Sequence, residues 1–134
     1  MKKIAIAIVA VIALLANVNL TAQSVDDQIA QIKQQPADTI FATYVSITRN
    51  AVDKDSTVKS DLKTRTITVT TVKKQEIADS ITGDTIKQMY LKGLKGAEHG
   101  KLFKAMFERG NFKMILIFTG TNRTVSTTIS ASDF

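Results

Sequence analysis

The chain has 134 residues, of which 44% are hydrophobic and 22% charged, a composition typical of a single globular domain and not of a disordered segment. Its formal net charge is +6, and it contains one histidine and no cysteine. The lack of cysteine excludes disulfide frameworks, thiol nucleophiles and cysteine-ligated metal sites. We expect neither a metal nor a cofactor.

The first 22 residues have the pattern of a secretory signal peptide. Lys2 and Lys3 precede thirteen uninterrupted apolar residues (4–16), and the small residue Ala22 follows at a suitable cleavage point. The alternative is an uncleaved membrane anchor, which needs about 20 apolar residues, but Asn17 interrupts the run too early. The sequence therefore predicts export across the inner membrane, cleavage near Ala22 and a soluble periplasmic or secreted protein.

Cleavage would leave one exported domain, residues 23–134. It has 112 residues, with 16 basic against 12 acidic side chains and a net charge of +4. A chain of this size buries somewhat over about 60% of its unfolded surface, which is enough for one core without disulfides. An exported chain free of cysteine suits a bacterium.

The N-terminal part of this domain predicts a helix and then a strand. Ser24 is a suitable N-cap, Ile29 and Ile32 form a short apolar stripe, and Pro36 ends the helix. The β-branched and aromatic run Thr39–Arg49 predicts a strand.

The next part predicts a loop and a second strand. The polar, charge-mixed stretch Asn50–Lys63 indicates an exposed connection. In Thr64–Val72, threonines at every second position alternate with Ile67 and Val69, which is typical of a strand with one buried face.

Residues 74–110 have helical character. Ile77 and Ile81 predict a short helix that ends at Gly83, and Asp84 is a candidate cap for the next one. Two further helices are predicted by apolar residues at spacings of three and four: Ile86, Met89, Tyr90 and Leu94, then Leu102, Phe103, Met106 and Phe107.

A hairpin is predicted at the C-terminus. Phe112–Thr119 is apolar at both alternating sets of positions, which indicates a central, buried strand. Residues 120–122 are a turn, and Arg123–Ser130 returns as a half-buried strand. The predicted fold is α+β, a single domain with a roughly four-stranded, mainly antiparallel sheet and helices packed on one face.

His99 is the only candidate for histidine-based acid–base catalysis. Its unperturbed pKa, near 6.5, suits a general base, and Glu98 precedes it in a glycine-rich stretch. No G-x-S-x-G nucleophile motif accompanies it. We interpret it as a loop histidine and keep catalysis as the alternative.

The closest carboxylate pairs in the sequence are Asp26/Asp27 and Asp53/Asp55. Two acidic residues in a loop are potential calcium ligands. Residues 53–58 include no glycine at the required turn and place Lys54 between the two carboxylates. We therefore predict a solvated loop and not a calcium site.

A basic stretch provides the predicted binding residues. Between residues 87 and 113, seven basic side chains oppose Glu98 and Glu108, a local net charge of +5. A basic amphipathic helix either covers a sheet or meets an anionic surface. The expected partner is an anionic protein, glycan or membrane surface, and nucleic acid is not expected. The binding candidates are Lys92, Lys95, Lys101 and Lys104.

Two other patterns involve hydroxyl side chains. Alternate residues 64–70 and 124–130 would give a hydroxyl-rich sheet face, suited to a carbohydrate or a second sheet, or simply exposed to solvent. Four aspartates, Asp38, Asp55, Asp79 and Asp84, each precede Ser or Thr. These triplets resemble an O-glycosylation acceptor of some exported bacterial proteins, and local capping is the alternative.

The function predicted from these features is a non-catalytic binding or interaction module of the bacterial envelope. One alternative is a small envelope hydrolase using His99. Another is a carrier with an apolar pocket between the helices and the sheet, lined by Phe41, Phe107 and Phe118.

Overall fold

The computed structural model describes residues 24–95 and 100–134 as an α+β arrangement, in agreement with the predicted fold class. A short 3-10 turn, Ala131–Asp133, follows the last strand. Within these ranges the helices and strands are, in chain order, α1 Val25–Gln34, α2 Ala37–Ala51, β1 Ser56–Asp61, β2 Thr66–Val72, α3 Gly83–Lys95, α4 Gly100–Gly110, β3 Lys113–Thr119 and β4 Thr124–Ile129.

The four described strands form one sheet in the order β1-β2-β3-β4. The pairs β1–β2 and β3–β4 are antiparallel, and the C-terminal hairpin is confirmed. The central pair β2–β3 is parallel. β3 runs parallel to β2 because α3 and α4 lie between these strands and return the chain to the same end of the sheet. The predicted, mainly antiparallel sheet is therefore confirmed, with one parallel pair.

The helices cover one face of the sheet, which we call the inner face. Ile67 and Val69 of β2 and Met114 and Leu116 of β3 are buried there with apolar residues of α2, α3 and α4. On the opposite face, the hydroxyl side chains of β4 are exposed and Ile117 of β3 is half-buried. The hydroxyl-rich outer face thus matches the alternation in the sequence, and a ligand for it stays a prediction.

The prediction of a strand over Thr39–Arg49 is wrong, because this segment lies within α2. The buried positions are Ile40, Phe41, Tyr44, Val45 and Thr48, which recur every three or four residues. Burial of this helical stripe outweighs the strand preference of β-branched residues. The Thr48 hydroxyl donates to the Tyr44 carbonyl oxygen (2.8 Å), so it is satisfied within the helix.

The exposed connection predicted over Asn50–Lys63 is wrong in part, because it contains β1. This strand lies at the edge of the sheet, and its polar residues are mostly exposed. Only Val58 provides an apolar contact with the core, so the strand has no hydrophobic alternation that would reveal it. The predicted second strand is confirmed from Thr66 onwards, and Arg65 before it belongs to the turn.

The helix predicted around Ile77 and Ile81 is also wrong. Residues 73–82, here called the crossing segment, contain no helix or strand. Gly83 does not end a helix but is the first residue of α3. The cap comes from Thr82 and not from Asp84, since the Thr82 hydroxyl accepts the Thr85 N–H (3.2 Å).

The crossing segment is bound to the β3–β4 turn by hydrogen bonds. Thr121 N–H donates to the Gln75 carbonyl oxygen (3.0 Å). The Asn122 side chain accepts from Ile77 N–H (2.8 Å) and donates to the Ile77 carbonyl oxygen (3.0 Å). Arg123 donates to the Ala78 carbonyl oxygen (2.8 Å). These partners satisfy backbone groups that a helix would have satisfied internally.

Aromatic side chains form the centre of the core. The rings of Phe107 and Phe112 lie 4.4 Å apart, and Tyr44 packs at 5.2 Å from Phe107. Phe103 is completely buried, which confirms the apolar stripe predicted for α4. Such ring pairs stabilise a core beyond the area that they bury.

Gly83 allows α3 to begin directly beside the edge of the sheet. A Cβ atom at this position would lie 2.3 Å from the backbone oxygen of Ser126 in β4. We expect Gly83→Ala to lower the free energy of unfolding by about 1–3 kcal/mol, because α3 must shift away from β4. Urea unfolding measures this, with Gln88→Ala on the exposed side of α3 as the control. Equal stability of the two variants would contradict the close approach.

Candidate ligand-binding cavity

A cavity of about 360 Å³ lies between the inner face of the sheet, helices α2 and α3, and the crossing segment. This volume lies within the range of small-molecule sites, which begins at about 300 Å³.

Most of the cavity wall is apolar. The sheet, α3 and the crossing segment each contribute part of it, so the wall combines residues far apart in the chain. The large apolar side chains of the wall include Val69, Met114, Leu116 and Phe118 from the sheet, Ile86 and Leu94 from α3, and Ile77 and Ile81 from the crossing segment.

Gly120 allows the crossing segment to close one side of the cavity. A Cβ atom on Gly120 would lie 2.6 Å from the Gln75 carbonyl oxygen and 2.7 Å from the side chain of Ile77. Together with the hydrogen bonds to the β3–β4 turn, this close contact fixes Ile77 at the cavity wall.

The deepest polar group of the wall is a pair of tyrosine hydroxyls. Tyr44 of α2 and Tyr90 of α3 place their hydroxyl oxygens 2.9 Å apart, at hydrogen-bonding distance. Their exposed fractions are only 2% and 6%. Packing of the Tyr44 ring on Phe107 and Phe112 holds this pair in position.

Burial keeps both tyrosines protonated. It raises the pKa of Tyr90 to about 12, although the hydrogen bond with Tyr44 acts in the opposite direction. Burial, with the nearby Tyr90 as a further cause, raises the pKa of Tyr44 well above its ordinary value. The pair therefore provides neutral O–H groups at physiological pH and no phenolate base or nucleophile.

A second polar network lies at the mouth of the cavity. The Ser56 hydroxyl donates to an Asp53 carboxylate oxygen (3.2 Å) and lies 2.7 Å from the Thr71 hydroxyl. Because a hydroxyl has one hydrogen, Thr71 donates to Ser56. The Lys73 ammonium lies 3.3 Å from the Asp53 carboxylate and 2.8 Å from that of Asp55.

This network stabilises the ionised form of Asp53. Burial acts to raise its pKa, but the backbone N–H of Asp55 and the Lys73 ammonium have the larger combined effect, and the pKa is lowered. Asp53 and Asp55 thus both pair with the Lys73 ammonium. Among residues 24–95 and 100–134, no cluster of three potential metal ligands is found.

Of the three phenylalanines predicted to line a pocket, only Phe118 belongs to the wall. Phe41 and Phe107 are buried in the aromatic core. The prediction that Phe41 lines a pocket depends on the strand predicted for this segment. Because Phe41 lies in helix α2, its ring packs against Phe112 instead. The sequence pattern does not mark Tyr44, Tyr90 or Lys73 as site residues. They are the two tyrosines of the chain and the lysine directly after β2.

Of the predicted binding lysines, Lys92, Lys101 and Lys104 do not belong to the cavity wall. Lys92 of α3 and Lys101 and Lys104 of α4 are exposed. Lys104 lies 3.9 Å from Glu108. Lys95 is the last residue of α3, and its side chain is outside the described residues, as is the catalytic candidate His99. None of the described helices is long and apolar enough to cross a membrane.

The tyrosine pair predicts a loss of stability at alkaline pH. Folding raises both pKa values, so above pH 10 the unfolded state binds fewer protons and stability falls as pH rises towards the folded pKa values. In this window each tyrosine lowers the free energy of unfolding by about 1.4 kcal/mol per pH unit.

We expect the double variant Tyr44→Phe/Tyr90→Phe to lose less stability than the wild type between pH 9 and about 12. Urea unfolding at several pH values measures the free energy of unfolding of both proteins. Because both contain the same lysines, the difference between the two proteins removes the effect of lysine titration. Parallel pH profiles of the two proteins would contradict the burial of the hydroxyls.

No protein-family model, curated protein or solved structure matches this chain. Function is therefore inferred from the geometry of the cavity.

Proposed function

We propose that the protein is a non-catalytic binding module that holds an apolar small molecule in this cavity. The observation that supports the proposal is the combination of volume and lining, since a cavity of about 360 Å³ with a mainly apolar wall lies between α2, α3 and the sheet. Apolar surface inside such a cavity is stabilised by contact with an apolar ligand. Of the functions predicted from the sequence, the carrier fits this geometry best.

The groups on the wall favour binding over catalysis. Both tyrosines stay protonated, and Asp53 is held by Lys73 and Ser56. A general base needs a pKa near the working pH, which these groups do not have. A hydrolase using His99 stays a prediction, because that residue lies outside the described part of the chain.

We also propose that binding takes place after export. Lys2, Lys3 and the apolar run that follows have the pattern of a cleaved signal peptide. The protein would then act in the periplasm or outside the cell, where a molecule of low solubility needs a carrier to cross an aqueous space.

Filling the cavity tests the proposal. We expect Leu116→Trp to weaken binding of the neutral fluorescent probe N-phenyl-1-naphthylamine by about tenfold or more, because the indole occupies the ligand's space. Ile117→Trp is the matched control, since Ile117 is the next residue of β3 and lies on the outer face. The chain has no native tryptophan, so indole fluorescence reports where each new side chain lies.

The fluorescence titration has two informative outcomes. Full binding by Ile117→Trp and weak binding by Leu116→Trp would support the cavity as the site. Equal binding by both variants, or no binding by the wild type, would contradict the proposal.

A second binding surface is proposed on the basic helices. The exposed positions of Lys92, Lys101 and Lys104 support contact with an anionic protein, glycan or membrane surface. We expect binding to vesicles containing an anionic lipid to weaken from low to high salt, because salt screens exposed charges. Affinity that does not change with ionic strength would contradict this mechanism.

A further inference from the structure

The tyrosine pair has one more hydrogen than it uses. Each hydroxyl has one donor and two acceptor positions. One hydroxyl donates to the other, and the second O–H then needs a different acceptor. Within residues 24–95 and 100–134, the hydrogen bond between Tyr44 and Tyr90 is the only one to either hydroxyl. An unsatisfied donor this deeply buried is destabilising, so the free O–H favours an acceptor inside the cavity.

The other buried hydroxyls of the wall have acceptors within the protein. Thr48 donates to the Tyr44 carbonyl oxygen. Thr71 donates to Ser56, which in turn donates to Asp53. The spare donor at the tyrosine pair is therefore a particular feature of the interior of the cavity and not a general property of its wall.

The charges on the wall disfavour an anionic ligand. Asp53 and Glu76 are the acidic residues there, and Lys73 is the basic one. The Lys73 ammonium already lies between the Asp53 and Asp55 carboxylates. A ligand carboxylate would have to compete with them and would be repelled by them, and its transfer to the apolar interior would be unfavourable.

We propose that the cavity takes an uncharged apolar molecule with an oxygen acceptor, of the ketone, ester or ether class, and that this oxygen accepts a hydrogen bond from the Tyr44–Tyr90 pair. This inference rests on the proposed function, since it specifies the ligand of the same cavity. The tyrosines orient the ligand through its oxygen, and the apolar wall holds the remainder of the molecule.

Three small molecules of similar size test separately whether the ligand must be uncharged and whether it must have an oxygen acceptor. Butyrophenone is neutral and has a carbonyl oxygen, butylbenzene has no oxygen, and 4-phenylbutyrate has a carboxylate. Their affinities for the full chain are measured by displacement of N-phenyl-1-naphthylamine from the wild type and from Tyr44→Phe/Tyr90→Phe. The double variant removes both hydroxyls and keeps both rings, and Thr71→Val is the control that removes a satisfied hydroxyl from the same wall.

We expect the double variant to bind butyrophenone about tenfold more weakly than the wild type and to bind butylbenzene equally well. Thr71→Val should leave the preference between these two molecules unchanged, and 4-phenylbutyrate should bind more weakly than butyrophenone. Unchanged affinity of the double variant for butyrophenone would overturn the inference, as would tight binding of 4-phenylbutyrate. If the wild type does not bind the fluorescent probe, the proposed function itself fails.

Infrared spectroscopy of butyrophenone bound to the wild type gives a test that does not depend on the folding of a variant. Hydrogen bonding lowers the carbonyl stretching frequency. We expect a lower frequency in the complex than in an alkane solvent. The same frequency in both would overturn the inference.

Discussion

The cavity depends on the hydrogen bonds that tie residues 73–82 to the β3–β4 turn. Asn122 binds both backbone groups of Ile77, and Arg123 binds the Ala78 carbonyl oxygen. These contacts hold the crossing segment across one end of the sheet in an irregular conformation whose backbone groups are nevertheless satisfied. The segment thereby contributes Ile77 and Ile81 to the wall of the cavity, which lies between this segment, α2, α3 and the sheet.

The interior of the cavity combines an apolar wall with one neutral polar group. Because Tyr44 and Tyr90 are deeply buried, they keep their protons, and their hydroxyls act through hydrogen bonds alone. The charged groups of the wall are half-buried or exposed, and Lys73 pairs with Asp53 and Asp55. This separation of charge from the apolar interior is what a site for an uncharged ligand requires, and it is why we propose binding and not catalysis.

The sequence predicts those parts of the fold whose hydrophobic period is unambiguous. The β3–β4 hairpin and the apolar stripe of α4 follow directly from alternation and from spacings of three and four. In α2, Phe41 and Val45 fit a period of two as well as a helix, and only packing against the aromatic core decides between them. The cavity was not predictable residue by residue, because Tyr44 and Tyr90 are brought together by tertiary packing 46 positions apart. The irregular crossing segment is not predictable from local sequence either, because its hydrogen-bond partners lie in a distant turn.

Native mass spectrometry of the protein purified gently from its own cells tests directly whether the cavity holds a ligand. We expect the mass of residues 23–134 together with a second, heavier species that carries a small uncharged molecule. The Leu116→Trp variant should lose this heavier species. The bare polypeptide alone, from both the wild type and the variant, would contradict the claim that the cavity holds a ligand.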